Sequence, residues 1–452
     1  MPERLTGGGG WGNWGVSKGR RARLARARQP INTESVKRGC VQAGIKMSAK
    51  TNNNDNAGRE GCDCSIIIPT RNRSAILGET LGRLHGLPDG RFEIIVVDNG
   101  STDVSTALRE EFGGVRWIDL DRNLGCAARN LGAAAARGRV LLMLDDDSWP
   151  DAGVVEQIVA LFDERPRLGA VACRVRLADS PHRHDAGGVP GTYFNCGGVI
   201  RRSAFLECGG YPIDFEYYVE EYDLSCRLWK AGWTIEPRGE LVVHHRRVSQ
   251  NRDNNNMLRL LVRNNLALWQ RYAPDEFRDD LIASTLERYR RVAIRESALV
   301  GFEQGRREGF ARIDSAKRIG SPLSSAEFAD LMGLSAARSA LIEWADNARI
   351  EKVAVWTRGK ACELLIDLIT SINIRVDAVY DFVADEPTWR GVSLRRTSDF
   401  DPSAVDGIVA GSLSPGVAED IANDLAEKMP GLPILSPAPW RGVATAVSSC
   451  SV

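Results

Sequence analysis

Four short apolar runs, CSIIIPT, FEIIVVD, VRWIDL and RVLLMLD, recur between residues 64 and 145, each followed by polar, turn-forming residues and a stretch with helical spacing. Strands that are apolar throughout, without alternation, are covered on both faces, so the pattern implies a mostly parallel sheet between two helical layers. In such sheets ligands sit beyond the carboxyl ends of the strands. Three of these ends carry PTRN, DNGSTD and DDDSWP, and the corresponding loops are expected to converge on one crevice.

The last of these loops poses the sharpest question. Asp145, Asp146 and Asp147 follow directly on the apolar run LLML. Adjacent carboxylates at a buried strand end repel one another unless a cation compensates them, and hard oxygen ligands suit Mg²⁺ or Mn²⁺. Such an ion keeps few protein carboxylates and takes its other ligands from phosphate and water, so a metal diphosphate is the guest expected here. Each loop also has a purely structural reading, in which Ser101 or Thr102 caps a helix and the aspartates cap the helix beginning near Asp151.

Composition sets the remaining limits. With 59 basic against 59 acidic side chains there is no net charge to indicate a nucleic-acid binder. No apolar stretch is long enough to span a bilayer, and a cytoplasmic protein is expected, with the inner membrane face as an alternative location. Most of the ten cysteines, among them Cys126, Cys173, Cys196 and Cys226, sit in apolar patterns and read as reduced core residues. Cys62 and Cys64 form a lone CxC without a second pair, a weak zinc signal. Residues 1–60 carry twelve Lys or Arg against four Asp or Glu and few apolar residues, the composition of a disordered basic tail. Met47 is an alternative translation start.

Taken together, SIIIPTRNR (65–73), VVDNGSTD (96–103), NLGCAARN (123–130), LLMLDDD (141–147), GGVIRRSAFLECGGY (197–211), EEYDLSCRLWKAGW (220–233) and VVHHRRVS (242–249) resemble the successive motifs of family 2 inverting glycosyltransferases with the GT-A fold, a nucleotide-diphospho-sugar transferase fold. The similarity is greatest to the rhamnosyltransferase-like branch. It implies a transferase that moves a hexosyl or deoxyhexosyl group from a nucleotide-sugar donor to a hydroxyl acceptor, glycan or lipid-linked, in surface polysaccharide synthesis. It also implies Mg²⁺ or Mn²⁺ as cofactor. Thr70, Arg71, Asp98, Asn99 and Asn123 would contact the nucleoside. Asp145 and Asp146 would line ribose and diphosphate, with Asp147, Asp145 and His244 at the metal. The general base falls on Glu221, where the family more often has Asp; Glu220, Asp223, Arg227 and Trp149 would support or orient the acceptor. A catalytically idle nucleotide-sugar-binding scaffold or partner-binding protein is the alternative that the Glu221 departure keeps open.

Residues 61–275 would form this domain. The amphipathic, basic segment 257–272 reads first as core packing, and second as a place where Arg259, Arg263 and Arg271 meet anionic lipid or acceptor phosphate. A helical stretch at 276–346 precedes a return of strand and helix at 347–452, a small Rossmann-like module. Its first turn, TRGKAC (357–362), has one glycine where a dinucleotide binder has GxGxxG, so a separable structural or partner-binding module is expected.

Overall fold

The structure is a computed structural model, and it describes residues 47–48, 61–88, 91–104, 106–185, 187–248, 253–315 and 321–442. The basic tail expected at 1–60 lies outside these, apart from a two-residue strand, β1 (Met47–Ser48). The remaining strands of the first sheet are β2 (Cys64–Thr70), β3 (Phe92–Asp98), β4 (Arg116–Leu120), β5 (Val140–Met143), β6 (Ser148–Pro150), β7 (Leu168–Leu177), β8 (Ser180–His184), β9 (Gly198–Arg201) and β10 (Thr234–His245). They run in the order β1-β4-β3-β2-β5-β9-β7-β10-β6, with β8 beside β7. The pairs β4-β3, β3-β2, β2-β5 and β7-β10 are parallel, whereas β9 runs antiparallel between β5 and β7.

Each face of this sheet has its own core. On one side Leu77, Leu81 and Leu84 of the Ser74–His85 helix meet Ile158, Leu161 and Phe162 of the Val154–Glu164 helix. On the other, Leu131, Phe205, Leu224 and Leu228 pack from three helices. The small residues of the Ala128–Ala135 helix permit close approach to the sheet: a Cβ on Gly132 would lie 2.6 Å from Cγ2 of Ile67.

Beyond residue 253 come three long helices, Asn254–Tyr272, Asp275–Arg295 and Leu299–Ser315, and two shorter ones, Ser325–Met332 and Leu334–Ala348. The arginines of 257–272 turn inward rather than toward a lipid surface. Arg259 pairs with Glu308, Arg263 with Glu216, and Arg271 with Asp214 and Asp223. No helix among the described residues is long and apolar enough to cross a membrane.

The second sheet contains β11 (Lys352–Trp356), β12 (Arg375–Asp381), β13 (Thr388–Trp389), β14 (Val392–Arg396), β15 (Gly407–Ala410) and β16 (Ile434–Leu435), in the order β13-β14-β12-β11-β15-β16. It is parallel apart from β13, as its Rossmann-like pattern predicted. One apolar core joins the parts of the chain, running from Phe215, Val219 and Cys226 through Leu268, Leu331 and Leu341 to Val355, Leu365 and Val409.

Candidate active site

The strand-end loops do converge, on a cavity of about 1220 Å³ lined by Thr70, Arg71, Asn99, Asn123, all three aspartates, Glu220, Glu221 and His245. Cross-loop hydrogen bonds shape its rim. The Asp103 carboxylate accepts from the N–H of Ser74 at 2.9 Å, and Asn72 Oδ1 accepts from the N–H of Thr102 at 2.9 Å. The NGSTD turn therefore caps the helix after the first loop instead of starting its own. Asn99 ties a third loop in, with Oδ1 accepting from Leu124 N–H and Nδ2 donating to the Gly125 carbonyl. Asp98 sits off the cavity wall. It accepts from the N–H of Ser101 at 2.8 Å and lies 3.7 Å from Arg109, so its role is to shape the turn.

The protein itself supplies a cation for each of the three carboxylates. Arg129, wholly buried, donates to Asp145 and to the Leu144 carbonyl. Arg73 bridges Asp146 at 2.6 Å and Asp147 at 3.0 Å. Thr70 Oγ1 donates to Asp146 at 2.8 Å. Burial nonetheless wins at Asp146 and pushes its pKa up to about 7, against the pull of Arg73. Asp147 goes the other way: burial opposes ionisation, but His245, Arg73 and the N–H of Val248 outweigh it and hold the carboxyl at about 2.

The histidine at this site is His245, not His244 as expected. β10 pairs antiparallel with β6, which places His244 opposite Trp149, and successive strand residues point to opposite faces. His244 accordingly stacks on Trp149, with its Nε2 2.6 Å from Asp151. Trp149 also lies off the cavity wall, under the Arg83 guanidinium, and so does not cover a sugar. His245 presents Nε2 to Asp147 at 3.1 Å and Nδ1 to Asp185 at 2.6 Å. Burial disfavours its charge, yet Cys196 and the two carboxylates raise its pKa.

The residues present fit a divalent cation. Oδ1 of Asp147 is buried and accepts no hydrogen bond, since His245 Nε2 approaches without the alignment donation requires. Asp145, Cys196 and His245 bring ligand atoms within 4.8 Å of one another. The carboxylate oxygens and imidazole suit Mg²⁺ or Mn²⁺, while the buried Cys196 thiol is the soft outlier.

The opposite wall is built by a strained turn. Glu216, Tyr218 and Val219 all have positive φ, at 63°, 68° and 71°, although none is glycine. Asn264 holds this turn by donating to the carbonyls of Phe215, Tyr217 and Tyr218, each at 2.9 Å, and Arg263 adds a bond to Phe215. The turn delivers Glu220 and Glu221 into the first turn of the Glu220–Lys230 helix, 3% and 9% exposed. Burial raises both pKa values. Glu220 accepts from Asn195 at 2.8 Å. Among the described residues no other residue donates a hydrogen bond to the Glu221 carboxylate; its own backbone N–H lies close to it. Asp223 and Arg227 are not on the cavity wall: Arg227 joins Asp223 to the carbonyls of Cys208 and Gly210, and Tyr272 donates to Asp223. They fix the helix rather than an acceptor. Cys62 and Cys64 are both free thiols.

Residues 65–200 match the family model described as "Glycosyl transferase family 2". That stretch is a family 2 glycosyltransferase domain. Its sheet, curled and mostly parallel, is of the GT-A type. An uncharacterized glycosyltransferase of Haemophilus influenzae is 31% identical to this chain over 108 residues, covering 24% of this chain and 37% of that protein. The dodecaprenyl-phosphate galacturonate synthase of Rhizobium johnstonii is 28% identical over 115 residues, covering 24% and 34%. A solved mannosyltransferase from Pyrobaculum calidifontis, in complex with GDP-Man and Mn²⁺, shares 16% identity over 66% of this chain and 86% of its own, with a TM-score of 0.40. The chain spans about a third of the length of those two curated relatives.

Proposed function

We propose that the chain is an inverting, metal-dependent glycosyltransferase that passes a sugar from a nucleoside-diphosphate donor to a hydroxyl acceptor during glycan assembly. The observation that carries this reading is the cavity itself, with Asp145, Asp146, Asp147 and His245 on one wall and an unengaged Glu221 on another. Thr70, Arg71, Asn99 and Asn123 would seat the nucleoside at the strand ends, and Arg73 would face the diphosphate from its bridge between Asp146 and Asp147. Asp147, Asp145 and His245 would hold the cation, which neutralises charge developing on the departing diphosphate. Glu221 takes the proton from the acceptor hydroxyl as that oxygen bonds to the anomeric carbon and the bond to the diphosphate breaks. Attack from the face opposite the leaving group inverts the anomeric centre. Glu220, tethered to Asn195, keeps the neighbouring charge in place.

The test is a thermal-stabilisation screen of the full chain against UDP-, GDP- and dTDP-sugars with and without Mn²⁺, followed by NMR of the product anomer. Stabilisation by one nucleotude class that requires the ion, and an inverted linkage, are expected. Equal response to all nucleotides, or a retained configuration, would sink the reading.

A further inference from the structure

The chemistry above makes no use of the loop 357–361, which leaves the carboxyl end of β11 in the second sheet. Its single glycine is not the remnant of a phosphate cradle. A Cβ on Gly359 would lie 2.6 Å from the Gly411 carbonyl oxygen and 2.8 Å from Cβ of Ser412, so the glycine lets the loop fold flat against 411–412. Thr357 and Ala361 bracket it with φ of 69° and 58°, left-handed conformations that non-glycine residues adopt only when their surroundings enforce them. Arg358 supplies that enforcement, donating to the Val383 carbonyl and pairing with Asp381, Asp385 and Glu287.

The result is that Lys360 leaves its own module. Its Nζ donates to the Gly187 carbonyl at 2.8 Å and to the Tyr222 hydroxyl at 2.8 Å, both in the glycosyltransferase domain. Tyr222 directly follows Glu221, and its hydroxyl also accepts from the N–H of Val189 at 3.3 Å. Ser414 adds a bond from the second sheet to the same Gly187 carbonyl. Segment 187–189 and Lys360 both line the cavity that holds Glu221. Lys360 is half-buried, and among the described residues no carboxylate lies within ion-pair distance of its ammonium, so its hydrogen bonds to Gly187 and Tyr222 are what hold it. Burial and Arg288 pull its pKa down to about 7, and Glu221 pulls the other way.

We propose that the C-terminal module is a wall of the active site, and that Lys360 is a positioning residue which, through the Tyr222 hydroxyl and the Gly187 carbonyl, fixes the acceptor side of the cavity around Glu221. The kinetic part of this inference rests on the glycosyl-transfer reading; the geometric part stands without it. The experiment compares Lys360→Met, Lys360→Arg and Tyr222→Phe in the full chain by three measurements. These are amide hydrogen exchange of 188–192, binding of UDP and GDP with Mn²⁺ by calorimetry, and turnover with whichever donor the wild type uses. Lys360→Met should speed exchange of 188–192 by about tenfold or more, leave nucleotide binding intact, and lower turnover by up to about 100-fold at constant donor KM. Lys360→Arg should recover most of both losses, and Tyr222→Phe should reproduce part of them. Unchanged exchange with unchanged turnover overturns the proposal, as does a loss of nucleotide binding that parallels the loss of turnover. A wild type that binds no nucleotide refutes the glycosyl-transfer reading instead, and the exchange measurement then decides the placement of Lys360 alone.

Discussion

Two adjacent glutamates reach the same cavity, and what separates them is their partners. Glu220 is held by Asn195, whereas no other described residue donates a hydrogen bond to Glu221, which feels the charge of Lys360. General-base removal costs roughly 10²- to 10⁴-fold. Glu221→Gln is therefore expected to lose turnover on about that scale with donor affinity kept, while Glu220→Gln mainly weakens use of the acceptor; steady-state kinetics with calorimetric donor binding checks the split, and the reverse pattern would exchange the two roles. The pair also makes a stability prediction with a definite sign. Burial raises both folded pKa values above the ordinary 4.5, so between that value and the raised ones the folded chain holds protons that the unfolded chain has released. Stability then falls as pH rises through this window. Glu221→Gln should flatten the fall, read as a smaller loss of Tm from about pH 5 to about pH 9; an unaltered slope would contradict the burial argument. At the other wall, His245 lies between Asp147 and Asp185, whose charges favour its protonated form, and a cation bound at Nε2 would displace that proton. Mn²⁺ binding should release about one proton, measured by calorimetry in buffers of different ionisation enthalpy, and His245→Ala should abolish that release where His244→Ala does not.

At the scale of elements, the strained turn before the Glu220–Lys230 helix is the part with most at stake. Three positive-φ residues each cost about 1–3 kcal/mol, and they persist because Asn264 satisfies three carbonyls at once from the neighbouring helix. Asn264→Leu removes those bonds; the Phe215 carbonyl keeps Arg263 and the N–H of Tyr217, while the Tyr217 and Tyr218 carbonyls lose the Asn264 donor, about 1–3 kcal/mol for each that stays dry. The expected outcome is a lower Tm together with a turnover loss larger than any change in donor KM; a variant equal to wild type in both would mean the turn holds its own shape. This element also marks where the sequence stopped being informative. The mostly parallel sheet and the converging loops were legible because apolar runs and turn residues are local signals. The glutamates were legible because the motif carries them. Asn264 was not, since an asparagine in an amphipathic helix looks like surface until the turn it clamps, almost fifty residues earlier, is brought against it. Its visible trace was the Arg-Asn pair at 263–264 interrupting the apolar face of the helix. The choice between His244 and His245 depended on which face of β10 meets the aspartates, and that is set by pairing with β6, which a linear pattern does not show. The three side chains that face the aspartates, Arg73, Arg129 and His245, come from a loop, a helix and a strand far apart in sequence.

For the whole molecule, the decisive fact is that the apolar core does not stop at the end of the first sheet. Val219 and Cys226, on either side of Glu220 and Glu221 in the chain, belong to the same cluster as Leu331, Leu341, Val355 and Leu365. A module expected from its pattern to be separable is thus joined to the transferase domain by buried side chains, by Lys360, and by His184 of β8, whose Nδ1 lies 2.7 Å from Asp420. Removing a single buried leucine typically costs about 2–5 kcal/mol, and a whole domain is stable by only about 5–15 kcal/mol. Ending the chain near residue 350 strips many such contacts from the face that carries Glu221, so the shortened protein should not merely lose acceptor selectivity. It should unfold at a markedly lower temperature, or expose apolar surface and aggregate, and its donor binding should weaken along with its fold. The full chain should in turn melt in one calorimetric transition, because no part of it can open without uncovering the shared core. Two well-separated transitions, with a truncated protein that binds donor as tightly as the full chain, would show that the core contacts are a docking surface between independent domains and that the active site is complete without the second sheet.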